Sequence, residues 1–109
     1  MLRIYKTKGC MERSLGLIGR KQLKPGEALY FARVKRIHTW FMKYSIDAVF
    51  TGLDERVLSV QTLFPWKISS RVPRAFHCYE LLAGEAVRLG IVSGQRLWLD
   101  SELYVANLA

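Results

Sequence analysis

Apolar residues recur at every second position along much of this chain, the spacing of strands that bury one face. EALYFARVKRIHTWFMKYS, residues 27–45, follows the turn signal Pro25-Gly26 and reads as two strands joined near Lys35 and Arg36. IDAVFTGLDERVLSVQTLF, residues 46–64, reads as a hairpin bending at Gly52 to Glu55. RAFHCYELLAG is a further strand, GEAVRLG a turn or two of helix stopped by Gly90, and QRLWLD a closing strand. A short amphipathic segment from Glu12 to Ile18 is the other helical candidate. No internal repeat, low-complexity tract or linker interrupts the pattern. The predicted fold is mainly β: a compact, antiparallel, barrel-like single domain over residues 1–109, with one or two short helices.

Within HTWFMKYSIDAVF, alternation puts His38, Trp40, Met42 and Tyr44 on one side and Thr39, Phe41, Lys43 and Ser45 on the other. Trp40 and Met42 are expected to pack in the core, because aromatic and Met side chains fill interiors. His38 is expected at a strand end or in a hydrogen bond. Asp47 is conspicuous between Ile46 and Ala48. A carboxylate in an apolar run must be exposed, hydrogen-bonded or paired, since its burial alone costs several kcal/mol.

Composition keeps the chain in the globular class. Half of its 109 residues are hydrophobic and 24% are charged. No apolar run approaches the ~18 residues of a membrane span, and MLRIYKTKGCMERSLG lacks the continuous apolar segment of a secretory signal, so a soluble, cytoplasmic protein is expected. Cys10 and Cys78 are expected to be idle thiols rather than a disulfide framework.

The formal charge of +8 is unevenly spread. Residues 1–36 hold ten Lys and Arg against two Glu, whereas residues 37–109 hold seven charges of each sign. Such an imbalance suits a face that meets nucleic acid, an anionic surface or an acidic protein. Metal and catalytic signals are thin: HExxH, Cys pairs at zinc spacing and the Gly-x-Ser-x-Gly elbow are all absent. His38, His77, Cys10 and Cys78 have no recognisable metal spacing, and no metal or cofactor is expected.

Several motifs together resemble the domain of unknown function 192 family, small mainly-β proteins of bacteria and archaea. The family's opening GLM-x-R-x-x-L is echoed by Gly16, Leu17, Ile18, Arg20 and Leu23, and its F-W-M-K-N-T strand by Trp40 to Ser45. Its L-D-x-x-F is similar to Ile46, Asp47 and Phe50, and its strand-helix-strand ending runs through Glu80, Gly84, Leu89, Gly90 and Gly94. Tyr44 stands where the family usually has Asn, and Gln95 where it usually has Asp. The resemblance covers residues 15–100 and implies architecture, because no activity is established for the family.

Two classes of function follow as expectations. One is a non-catalytic module in which Arg20, Lys43, Asp47 and Glu80 line a groove for a small anionic ligand or a protein partner. The other is a nucleic-acid-binding barrel that places Arg33, Lys35 and Arg36, with other N-terminal cations, on phosphates and stacks bases on Trp66 or Tyr30. An enzyme without a recognisable signature is the reserve. Convergence of the cations beside exposed rings would separate the first two.

Overall fold

The computed structural model describes residues 2–6, 23–40, 42–97 and 103–107. Among them are strands β1 (Leu2–Lys6), β2 (Glu27–Ala32), β3 (Ile46–Thr51), β4 (Val57–Leu63), β5 (His77–Leu82) and β6 (Leu103–Asn107), and one short helix, α1 (Glu85–Arg88). They form one sheet in the order β4-β3-β5-β2-β1-β6. β1 runs parallel to both β2 and β6, and the remaining pairs are antiparallel. The fold is mainly β and compact, with a radius of gyration of 12.5 Å. Hydrogen bonding leaves β4 and β6 as the ends of the ladder, so the sheet is barrel-like without closing.

β3 explains why its sequence is so continuously apolar. It lies between β4 and β5, and all six of its residues are buried. Ile46, Ala48 and Phe50 enter one cluster with Phe31, Ile37 and Met42. Val49, one pleat over, joins Val57, Leu81, Ala86 and Ile91 in the second. A strand covered on both faces needs no polar side.

The hairpin from β3 to β4 turns over Gly52 to Glu55 as expected, with the Glu55 amide donating to the Gly52 carbonyl. α1 also stands where expected. Gly84 precedes it at φ 96° and Gly90, at φ 69°, ends it, a conformation that costs residues with a Cβ about 1–2 kcal/mol.

Elsewhere the fold departs from the alternation. Residues 37–40 and 42–44 do not form the second predicted strand. Arg33 adopts a left-handed φ of 60° after β2, and the chain then runs beside residues 66–76 through separate hydrogen bonds. Trp40 is not a core residue: it is 48% exposed. The physical reason is Thr39, which is fully buried and whose hydroxyl donates to the Phe64 carbonyl and accepts from the Lys67 amide. With Thr39 inward, Trp40 points outward, and a tight turn from the Thr39 carbonyl to the Met42 amide returns Met42 to the interior. The end of the chain also differs from expectation. Of the predicted closing strand, residues 95–97 dock on the start of β4 through the Gln95 carbonyl with an isolated bridge between Arg56 and Arg96, and residues 98–100 lie outside the described residues. β1 and β6 were not expected at all. The predicted helix at Glu12 to Ile18, with Cys10, Arg20, Phe41 and Trp98, lies outside the described residues.

The outer side of β4 is occupied. The Gly94 amide donates to the Val57 carbonyl and the Ser93 hydroxyl to the Leu58 carbonyl. Further along, the Gln61 side chain accepts from the Ser70 amide and donates to the Ser70 carbonyl.

Candidate functional site

The predicted groove is not assembled from its two acids. Asp47 pairs across the sheet with Leu81, and Ala48 with Glu80, so the two carboxylates project from opposite faces. Lys43 is exposed on the loop before β3, and Arg20 lies outside the described residues. Asp47 is nevertheless satisfied, as its burial requires. One oxygen accepts from the Gly84 and Ala86 amides at 2.9 and 3.0 Å, and the other from the Thr62 hydroxyl at 2.7 Å. It tethers the entry of α1 to β3 and β4, a structural use of the charge. Glu80 is fully buried beside Ala48 and Leu29. Near it, burial pushes the Tyr44 phenol up, the Glu80 charge adds to the rise, and the Leu23 amide opposes it.

The basic residues behave differently. Residues 28–46 and 56–79 contain no Asp or Glu, and the fold zips these two stretches together. The Arg33 and Val34 amides both donate to the Phe76 carbonyl, Val72 donates to Lys35, Ser69 to Ile37, and Thr39 to Lys67. A second bond, from the Ile37 amide to the Ser69 hydroxyl, locks the middle of this loop pair. The stretch that holds Arg33, Lys35 and Arg36 is thereby set beside the one that holds Lys67, Arg71 and Arg74, and all six are exposed. None of the six forms an ion pair among the described residues. Arg3 and Lys24 sit instead at the far end of β2, beside Glu27, about 20 Å from Arg33 along the strand. The N-terminal cations therefore do not all converge.

Exposed rings stand at one end of the loop pair. Trp40, Phe64, Trp66 and Ile68 are 48, 65, 60 and 55% exposed. The Trp66 amide donates to the Thr39 carbonyl, which brings the two tryptophan turns together. The His38 imidazole stacks on Trp40 at 4.6 Å. Trp66 also holds a left-handed φ of 63°, an outlier for a bulky residue.

A second polar group was not foreseen in the sequence. Tyr30 and His77 are hydrogen-bonded through the phenol oxygen and Nδ1, and Nε2 of His77 faces Glu55 at 3.9 Å. Glu55, at φ 64°, also accepts from the Thr51 and Tyr79 hydroxyls. Burial, then the charge of Glu55, pushes the Tyr30 phenol up. The register pairs that could have revealed it, Tyr30 with Tyr79 and Thr51 with His77, join residues far apart in sequence. Among the described residues no three His, Cys, Asp or Glu side chains come together as metal ligands. No helix among them is long and apolar enough to cross a membrane.

Solved structures with this architecture include a protein of unknown function from Novosphingobium aromaticivorans DSM 12444, at 24% identity and a TM-score of 0.68 over 85% of this chain and 70% of that one. Another, from Sinorhizobium meliloti 1021, is named as a proposed transcription regulator. It is 25% identical, with a TM-score of 0.68 over 85% of this chain and 76% of that one. No curated protein matches the chain. The model of the domain of unknown function 192 family, described as Uncharacterized ACR, matches residues 2–99, and with this match and the shared fold the chain belongs to that family.

Proposed function

We propose that this protein is a non-catalytic binding module that grips the phosphate backbone of a nucleic acid with the basic loop pair. The observation that carries this reading is the zipping of two acid-free stretches, which gathers Arg33, Lys35, Arg36, Lys67, Arg71 and Arg74, none of them ion-paired among the described residues. Unpaired, solvated cations in that arrangement set up the positive potential that attracts phosphates. The alternative groove for a small anionic ligand loses support, because Asp47 is consumed by the turn into α1 and Glu80 faces the other way. The name given to the Sinorhizobium meliloti neighbour points in the same direction, but the reading does not rest on it. A cytoplasmic location, where nucleic acid is accessible, belongs to the same proposal.

The test is fluorescence anisotropy with a labelled oligonucleotide across a salt series. Six neutralised phosphates would give a log-log slope of about 4, at ~0.7 for each phosphate on a single strand. Lys35→Ser with Arg36→Ser should lower that slope by about one unit or more. Arg3→Ser with Lys24→Ser, at the far end of β2, should lower it less. Equal effects of the two pairs would reduce the face to general basicity and reject the proposal.

A further inference from the structure

We infer that the nucleic acid taken by this face is single-stranded, with unpaired bases stacking on Trp40 and Trp66. The inference rests on the phosphate-binding reading of the same face and adds what the rings contribute. Thr39 builds the display. Its carbonyl accepts from the Met42 and Trp66 amides, while its hydroxyl bonds the Phe64 carbonyl and the Lys67 amide. One buried residue, through its hydroxyl and its carbonyl, therefore ties together both turns that carry the tryptophans, so the rings are presented at little cost in ordering. Trp66 keeps an uncommon left-handed backbone while remaining 60% exposed. Residues held this way cluster at ligand clamps. His38 covers one face of Trp40, and a base on the other would continue the column.

Phe64 and Ile68 beside these rings have no donors or acceptors with which to read base edges, and in a duplex the base faces are already stacked. A surface of rings beside cations fits splayed bases better. The same residue types would also suit an anionic membrane, but the placement of charge argues against that. From Lys67 beside Thr39 to Arg33 beside Phe76, the cations trail away from the ring end over six residues, a span of at most ~20 Å. Apolar groups of a surface-bound protein enter only ~5–10 Å, so a membrane would engage the ring end and the cations nearest it first. A trail of that length instead follows a strand of several nucleotides.

The experiment compares binding of labelled oligothymidine, a duplex of equal phosphate number, and phosphatidylserine-containing vesicles, at near-physiological salt. The parent should favour the single strand. Trp40→Ala with Trp66→Ala should weaken single-strand binding by about 5- to 100-fold per ring and leave the salt slope unchanged. Trp40→Phe should restore most of the loss at that position, whereas a merely structural role at an exposed turn would not follow ring character. Salt-dependent binding that ignores both tryptophans, or equal affinity for duplex, would overturn this inference while leaving the phosphate face intact. Insensitivity to Lys35 and Arg36 would instead defeat the underlying reading, and vesicle binding without oligonucleotide binding would defeat both.

Discussion

Replacing Asp47 by Ala offers the sharpest check on the local architecture. The side chain is 2% exposed and accepts hydrogen bonds from two backbone amides and one hydroxyl. Truncation leaves the Ala86 amide buried without its acceptor, at a cost of about 1–3 kcal/mol. The Gly84 amide is nearer solvent and regains water, so its loss is smaller, and the Thr62 hydroxyl can rotate to another partner. A total of about 2–4 kcal/mol follows, a large share of the ~5–15 kcal/mol that holds a domain of this size. Asp47→Asn keeps an acceptor for both amides and offers Thr62 an N–H instead. It should lose only the charge assistance, about 1–2 kcal/mol. Urea unfolding followed by tryptophan fluorescence gives both numbers, and amide exchange at Ala86 locates the effect. An alanine variant within ~0.5 kcal/mol of the parent would show that the turn into α1 does not depend on this carboxylate.

Other expectations are as direct. Trp40→Ala should cost less than about 1 kcal/mol in the same unfolding assay, because the ring is half exposed; a loss of several kcal/mol would return it to the core. Gly84→Ala should destabilise by about 1–2 kcal/mol from backbone strain alone, since a Cβ there meets nothing within 4 Å; no change would mean the turn relaxes. The Arg88 side chain, helped by the Gly26 amide, holds the Glu85 carboxyl below the usual glutamate range. A lowered folded value adds stability that is present above that range and lost as pH falls through the lowered value, so Glu85→Gln should flatten the acid limb of a stability profile taken from about pH 6 to about pH 3. The raised Tyr30 phenol has the opposite sign: its stabilisation is present below the usual tyrosine range and lost as pH rises through the raised value. Tyr30→Phe should remove that alkaline loss and shift the His77 ring resonances, and an unchanged His77 spectrum would contradict the hydrogen bond.

Sequence periodicity reached the elements whose contacts are close along the chain. The β3-β4 hairpin, β5 and the short helix stopped by Gly90 all have their turn residues and alternation within a few positions of one another. It missed β1 and β6, whose pairing joins Leu2 to Leu103, and no local pattern encodes a partner so distant. Trp40 was misassigned for a different reason. Alternation correctly separates it from Thr39, but cannot say that a threonine bonded twice to the loop at residues 64–67 takes the inner place. The cations of the loop pair were half legible. A count along the chain assigned the excess to residues 1–36, while the folded loop pair draws half of its cations from a stretch that is balanced on paper. Asp47 was recognisable as a residue that needed partners, though not that backbone amides would supply them.

The outer side of β4 has a bearing on how this protein survives at high concentration. A bare strand margin is a template on which a second chain can add, and from there aggregates grow. Here residues 93–94 occupy the Val57 and Leu58 carbonyls, and the carboxamide of Gln61 imitates a peptide group by bonding both backbone groups of Ser70. Two short loops and one side chain thus act as a selvedge along that margin. The basic loop pair hangs from the same seam through Ser70, so the segment that carries Arg71 also covers the margin on which another copy of the chain would otherwise add.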